Sequence, residues 1–255
     1  MPLHAVVTGA GSGIGAAITK RLVENNYRVT LMGRRRDMLD RTANALGAPD
    51  LVQSFVCDVS DEKSVAKAFA KASAAAGFGA IEVLVNNAGV APTAPFHKLN
   101  FEDWNAVMDA NLHGVFHCTQ AVLSGMRERK FGRIINIAST AAQKGYAYVS
   151  AYCAAKHGVL GLSRALALET AQQGITVNAV CPGFTDTEIV RSSITKIQEK
   201  TGRSETEVLA EFTGVNPQGR LVLPEEVANV VLWLCAKESA AITGQAISVS
   251  GGEVM

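Results

Sequence analysis

Tyr152 and Lys156 stand four residues apart in the run Ser150-Ala151-Tyr152-Cys153-Ala154-Ala155-Lys156. The run favours helix, so a phenol and an ammonium leave the same helix face about one turn apart. A free phenol titrates near ~10 and exchanges protons poorly at neutral pH, but each unit of downward shift needs only about 1.4 kcal/mol of preference for the phenolate. A neighbouring Lys⁺ acts in that direction. An isolated Tyr-x-x-x-Lys is also an ordinary surface pair, so the elements around it must decide its meaning.

Those elements begin at the N-terminus. Residues 3–7 read as a short apolar strand, followed directly by Thr8-Gly9-Ala10-Gly11-Ser12-Gly13-Ile14-Gly15 and then a helical pattern over residues 16–24. Glycines in a strand-turn-helix let a pyrophosphate approach the backbone, and the helix N-terminus offers unpaired N–H groups to its charge. Gly9, Ser12, Gly13, Ile14 and Gly15 are therefore candidate dinucleotide contacts. The second strand, residues 28–32, ends in Gly33-Arg34-Arg35-Arg36, where an NAD site would carry a carboxylate for the ribose 2′-OH. Guanidiniums in that place favour the 2′-phosphate of NADP(H) through Arg34 and Arg35. The alternative is a solvated start to the next helix.

Residues 51–56 read as a third strand ending at Cys57-Asp58-Val59. Asp58 either accepts from an adenine amino group or caps the helix of residues 61–76. A fourth strand, residues 81–85, ends in Asn86-Asn87-Ala88-Gly89, whose small residues admit a flat ligand and whose amides can tie neighbouring strands together. A long helix is predicted over residues 101–126 with Asn111 in its middle, a residue that invites a polar contact or a local irregularity. A fifth strand, residues 132–139, delivers Ser139 at its carboxyl end. The Tyr152 helix runs to about Gln173, and a sixth strand, residues 175–180, leads into Cys181-Pro182-Gly183-Phe184-Thr185-Asp186-Thr187. Residues 184–220 are polar, helical and broken at glycines, which suits a mobile cover. A last strand is predicted near residues 245–249.

Composition narrows the classes of function. The chain has 255 residues, a length suited to one α/β domain, and 24 Lys plus Arg against 23 Asp plus Glu leaves no net field to gather nucleic acid or an anionic membrane. No apolar run reaches the ~18 residues of a membrane span and no secretory signal pattern is present, so a cytoplasmic protein is expected. The five cysteines lack metal or disulfide spacing and read as reduced thiols. His113 and His117 have metal-compatible i,i+4 spacing but no accompanying third ligand, so no metal is expected.

Thr8-Gly9-x-x-x-Gly13-x-Gly15, Asn86-Asn87-Ala88-Gly89, Asn111, Ser139, Tyr152-x-x-x-Lys156 and Pro182-Gly183-x-x-x-Thr187 together resemble the short-chain dehydrogenase/reductase family over essentially the whole chain. The resemblance implies a single-domain Rossmann fold with a seven-stranded parallel sheet. It also implies that Tyr152 exchanges a proton with the substrate oxygen, Ser139 hydrogen-bonds that oxygen, Lys156 lowers the tyrosine pKa and holds the nicotinamide ribose, and Asn111 anchors a water-linked relay. Asn87, Ala88 and Gly89 would line the adenosine side, and Pro182, Gly183, Thr185 and Thr187 the nicotinamide end.

The segments of residues 132–140 and 174–184 are similar to 3-oxoacyl-thioester reductases, including polyketide ketoreductases, and to 3-hydroxybutyrate dehydrogenases. The reading that follows is an NADP(H)-dependent oxidoreductase interconverting ketone and secondary alcohol on a 3-oxoacyl or 3-hydroxyacyl thioester. The alternatives are an NAD-dependent hydroxyacid or hydroxyacyl-CoA dehydrogenase and a non-catalytic cofactor sensor, against which intact Ser139, Tyr152 and Lys156 argue. Gln172 and Gln173 stand where carrier-protein reductases are expected to be basic, which favours a CoA thioester or small ketone, although Arg127, Arg129 and Lys130 remain as docking candidates. The resemblance further implies a homotetramer, or failing that a dimer, paired through the apolar helices that carry Asn111 and Tyr152.

Overall fold

The computed structural model describes residues 2–255. Seven strands form one parallel sheet: β1 (His4–Thr8), β2 (Arg28–Gly33), β3 (Val52–Val56), β4 (Ile81–Asn86), β5 (Gly132–Ile137), β6 (Ile175–Pro182) and β7 (Ala246–Val249), in the spatial order β3-β2-β1-β4-β5-β6-β7. Parallel pairing demands helical crossovers that cover both faces, and the central strands are accordingly apolar on both sides: every residue of β1, β5 and β6 is buried.

Alternation sorts the core. Ala5, Val7, Val83, Val85, Ile135 and Ile137 face helices α1 (Gly13–Glu24), α2 (Arg36–Leu46) and α9 (Pro224–Cys235). Val6, Leu84 and Ile134 face the opposite layer of α3 (Glu62–Ala74), α5 (Gly114–Arg129) and the end of α6 (Ser150–Thr170). The strand order reverses between β1 and β4, so the crevice outside their carboxyl ends lies at the switch point where doubly wound sheets take their ligands.

Two predicted elements change. The long helix over residues 101–126 is three pieces: α4 (Phe101–Met108), a π-helical turn (Asp109–His113) and α5. Asn111 sits in the π-turn, and its Nδ2 donates to the Val107 carbonyl at 2.9 Å, capturing a backbone acceptor that the widened turn passes over. The fifth strand stops at Ile137, and Ser139 instead caps a 3₁₀ turn (Thr140–Ala142). Between β6 and α9 lie two helices, α7 (Glu188–Thr201) and α8 (Glu205–Thr213), α7 ending at Gly202 with φ +70° as its glycine predicts. An isolated parallel bridge from Thr185 to Val222 draws the two ends of that segment together.

Candidate active site

The strand ends and the first turn of α6 converge. Lys156 is buried, and its Nζ donates to the Ile137 carbonyl at 2.7 Å, fastening α6 to the carboxyl end of β5 two residues before Ser139. The same Nζ lies 5.5 Å from the centroid of the Tyr152 ring. Ser139 Oγ accepts the Ala141 N–H at 3.1 Å, which commits a lone pair and leaves its O–H free to donate. Asn111 is fully buried, receiving Val90 N–H on Oδ1 at 3.2 Å and donating to the Val90 carbonyl at 2.9 Å. Gly89 lies between Asn111 and Lys156: a β-carbon there would collide with Asn111 Oδ1 and come within 3.8 Å of Lys156 Nζ. Ser139, Tyr152, Lys156 and Asn111 thus gather around one strand edge.

One expectation is reversed. Burial pushes the Tyr152 phenol up to about 12 rather than down, with the facing Ser139 hydroxyl pulling the other way. Burial also brings Lys156 down to about 8. Withdrawing either group from water disfavours its charged form, and with Lys156 directed at a carbonyl that desolvation outweighs its attraction for a phenolate. The phenol is consequently protonated at neutral pH, the state needed to donate to an oxygen gaining negative charge.

The glycine turn is built for close approach. Gly9 has φ +64°, and a β-carbon on it would lie 2.9 Å from Asn87 Nδ2, while one on Gly15 would strike the Gly9 carbonyl. Asn87 fixes the turn by donating to the carbonyls of Thr8 at 2.9 Å and Gly9 at 3.2 Å; Thr8 Oγ1 receives the N–H groups of Asn87 and Ala88, both at 3.0 Å. Deeper in the sheet Asn86 Nδ2 donates to Asn136 Oδ1 at 2.9 Å, so amides tie neighbouring strands as expected. Ser12 caps α1 without using its side chain and no acidic residue occupies the first turn, leaving the positive helix end open to an anion. Thr187 returns beside this turn, its Cγ2 3.1 Å from where a Gly13 β-carbon would stand.

At the end of β2, Arg34 and Arg35 are exposed and have neither a side-chain hydrogen bond nor an ion pair among the described residues, whereas Arg36 is engaged by Asp40 at 3.0 Å. Asp58 does not cap α3: its Oδ1 takes the Ser60 N–H and hydroxyl at 3.1 and 2.7 Å, and Asp61 caps by accepting the Lys63 N–H. Val59 is buried, and its carbonyl is 3.1 Å from His117 Nδ1, with Gly114 packed against its side chain. Thr185 Oγ1 donates to the Gly183 carbonyl at 3.0 Å, and the Gly183 N–H to Val249 at 3.0 Å, which orders the segment after Pro182. The glycine cradle, the open helix end and the uncommitted guanidiniums fit an NADP(H)-type dinucleotide.

Several residues do not join the site. His113 bonds to Asp109 at 2.7 Å, and no cluster of three or more potential metal ligands occurs among the described residues. Arg129 donates to the Ile81 carbonyl at the start of β4, so this basic group lies at the opposite end of the sheet from Ser139. Sequence reasoning missed Tyr148, held at φ +68° with its carbonyl accepting the Ala94 N–H at 2.9 Å, and the cluster of Lys144, Tyr146 and Glu253. Nothing local marks either feature, since their partners are distant in sequence.

Known proteins resemble this chain over nearly its whole length. A family model described as short chain dehydrogenase matches residues 3–198. The acetoacetyl-CoA reductase of Shinella zoogloeoides is 41% identical over 249 residues, covering 98% of this chain and 97% of the relative. A crystal structure of a single-substitution variant of actinorhodin polyketide ketoreductase with NADPH superposes with a TM-score of 0.93 at 39% identity, covering 99% of this chain and 97% of that one. Levodione reductase superposes with a TM-score of 0.92 at 32% identity, covering 98% and 97%.

Proposed function

This chain belongs to the short-chain dehydrogenase family, and from that membership we propose that it is an NADP(H)-dependent ketoreductase interconverting a ketone and a secondary alcohol on a 3-oxoacyl thioester. The observation that supports the reading most is the Lys156 bond to Ile137, which fastens the helix carrying Tyr152 to the strand that leads to Ser139. In the reductive direction Ser139 donates a hydrogen bond to the substrate carbonyl and Tyr152 gives that oxygen its proton. Lys156 would hold the nicotinamide ribose, and its Nζ supplies positive charge near the phenol, 5.5 Å from the ring centroid. Asn111 acts through the π-turn, where the widened hydrogen-bond spacing suits a backbone carbonyl to hold a relay water.

NADPH, when bound, supplies the hydride, so the protein's task is to hold, orient and protonate. Gly9, Ser12, Gly13, Ile14 and Gly15 would take the pyrophosphate, Arg34 and Arg35 the 2′-phosphate, and Asp58 and Val59 the adenine. Asn87, Ala88 and Gly89 would line the adenosine and ribose, and Pro182, Gly183, Thr185 and Thr187 the nicotinamide. Residues 184–220 would cover the substrate.

A CoA thioester is the favoured substrate, supported by the 41% identity to an acetoacetyl-CoA reductase and by Gln172 and Gln173 in place of basic residues. We assign the protein to the cytoplasm, where five free cysteines suit a reducing compartment, and to a homotetramer, supported by exposed apolar residues on α4, α5 and α6. No helix of the described residues is long and apolar enough to cross a membrane.

The test is kcat/KM for acetoacetyl-CoA reduction with NADPH and with NADH at one salt concentration. Charge-assisted hydrogen bonds from Arg34 and Arg35 contribute about 1.5 to 3 kcal/mol each, so NADPH is expected to win by at least about tenfold. Equal values, or a preference for NADH, would overturn the cofactor assignment and favour a dehydrogenase; absence of turnover with either would overturn the enzyme.

A further inference from the structure

One buried carboxylate stands outside the groups assigned above. The side chain of Glu253 is 1% exposed and forms an ion pair with Lys144 Nζ at 3.0 Å. Its Oε1 also accepts the Tyr146 hydroxyl, while Oε2 has no hydrogen-bond partner among the described residues and faces Gly183, where a β-carbon would lie 2.9 Å away. A buried oxygen without a donor is unfavourable, and an apolar residue would fill the same space without that penalty. Anchoring the tail by packing alone does not explain it.

The partners of Glu253 lead towards Ser139. Tyr146 Oη shares a second hydrogen bond with Thr140 Oγ1 at 2.7 Å. Thr140 follows Ser139 and opens the 3₁₀ turn whose Ala141 N–H bonds to Ser139 Oγ. The tail also meets the segment that follows α8: a β-carbon on Gly251 would collide with Asn216, and one on Gly252 would lie 3.3 Å from Pro217 Cγ. The Tyr146 ring meets Phe184 edge-on at 5.9 Å, and Phe184 meets Phe212 of α8 at 4.9 Å. The C-terminal tail therefore lies between the end of the cover and the turn that carries Ser139.

We propose that Glu253 is a positioning residue whose carboxylate clasps the Ser139 turn, through Tyr146 and Thr140, to the C-terminal tail and holds the Ser139 hydroxyl at a fixed place relative to the Tyr152 phenol. The proposal rests on the reading of Ser139 as the group that hydrogen-bonds the substrate oxygen. Glu253 touches neither substrate nor cofactor in this role; it adds a polar tie on the Tyr146 side to a turn whose Ala138 and Ala142 are packed in the core and whose Gln143 is bonded to Ser248.

The experiment uses the full chain carrying Glu253→Ala, Glu253→Gln or Tyr146→Phe, alone and with Ser139→Ala. Amide hydrogen exchange of the peptide spanning residues 140–147, measured without cofactor, is expected to quicken at least about threefold in Glu253→Ala. Its kcat should fall about tenfold with NADPH affinity within about twofold of the parent. Glu253→Gln, which keeps an acceptor for Tyr146, should recover most of that loss, and Tyr146→Phe, which cuts the path from Glu253 to Thr140, should move the same readouts by a similar factor.

In the Ser139→Ala background the further loss from Glu253→Ala should shrink below about twofold, because the effect passes through Ser139. Unchanged exchange, a fully additive loss in that background, or a KM increase at constant kcat would overturn the positioning role. Should Glu253→Ala not fold, the milder Tyr146→Phe decides by the same criteria. An inactive parent protein would defeat the functional reading alone, since the exchange measurement judges the clasp without turnover.

Discussion

At the scale of single residues, the decisive quantity is the protonation of half-buried Tyr152 and buried Lys156. Replacing Tyr152 by Phe removes only the proton-transfer atom, so kcat is expected to drop by about 10²–10⁴ while NADPH affinity and melting temperature stay close to the parent. Near-normal turnover would refute the role given to the phenol. Lys156 offers an independent check, because burial lowers it to about 8. Between about pH 8 and its free value of 10.5 the unfolded chain binds more protons there than the folded one, so this group's penalty is full below pH 8 and relieved as pH rises through that window. Tyr152, raised from 10.0 to about 12, works oppositely: its contribution to stability is present below pH 10 and is lost between pH 10 and 12. In cofactor-free protein carrying ¹³C-labelled lysine, one Cε resonance, absent in Lys156→Met, should titrate near 8. A midpoint at 10 or above would show the ammonium to be well solvated.

At the scale of elements, the end of β2 is where we propose that cofactor choice is made, and its geometry permits a clean exchange. A β-carbon on Gly33 would meet only Leu39 at ordinary contact distance, 3.4 Å, so Gly33→Asp adds a carboxylate without displacing backbone. Combined with Arg34→Ala, it should reverse the ratio of kcat/KM from NADPH towards NADH, by at least about tenfold in each direction. A double variant that still preferred NADPH would place the 2′-phosphate on other groups. This edge was legible because its signal is local: strand, glycine turn and basic run follow one another in the chain. The central strands β1, β5 and β6 were legible for the same reason, as short apolar runs buried on both faces. The π-turn at Asn111 was visible only as a poor helix former in a helix, since its form depends on what Val90 and Val107 present to the side chain. The rise in the Tyr152 pKa was hidden because spacing places a lysine near a phenol but does not say how much water surrounds either. Glu253 was invisible because Tyr146 stands 107 residues away in the chain.

At the scale of the whole molecule, the helical layers leave apolar surface that one chain does not cover. Phe101 on α4 is 76% exposed, Phe116 on α5 48% and Leu168 on α6 83%. These residues belong to the helices that also carry the π-turn and the Tyr152–Lys156 pair, so a partner pressed against them would stiffen the elements that hold the site. Isolated exposed apolar residues are ordinary, but three large ones on α4, α5 and α6 support the homotetramer proposed above. Its copies close by symmetry: a twofold contact is self-complementary, and two different twofold contacts on one chain produce a tetramer. Light scattering at micromolar concentration should therefore give a mass four times that of the chain, and Phe116→Arg should lower it by placing a charge in the contact. A twofold mass in the parent would keep one of the two contacts, whereas a monomeric mass would remove the assembly altogether and leave α5 and α6 to hold Asn111 and Lys156 unaided.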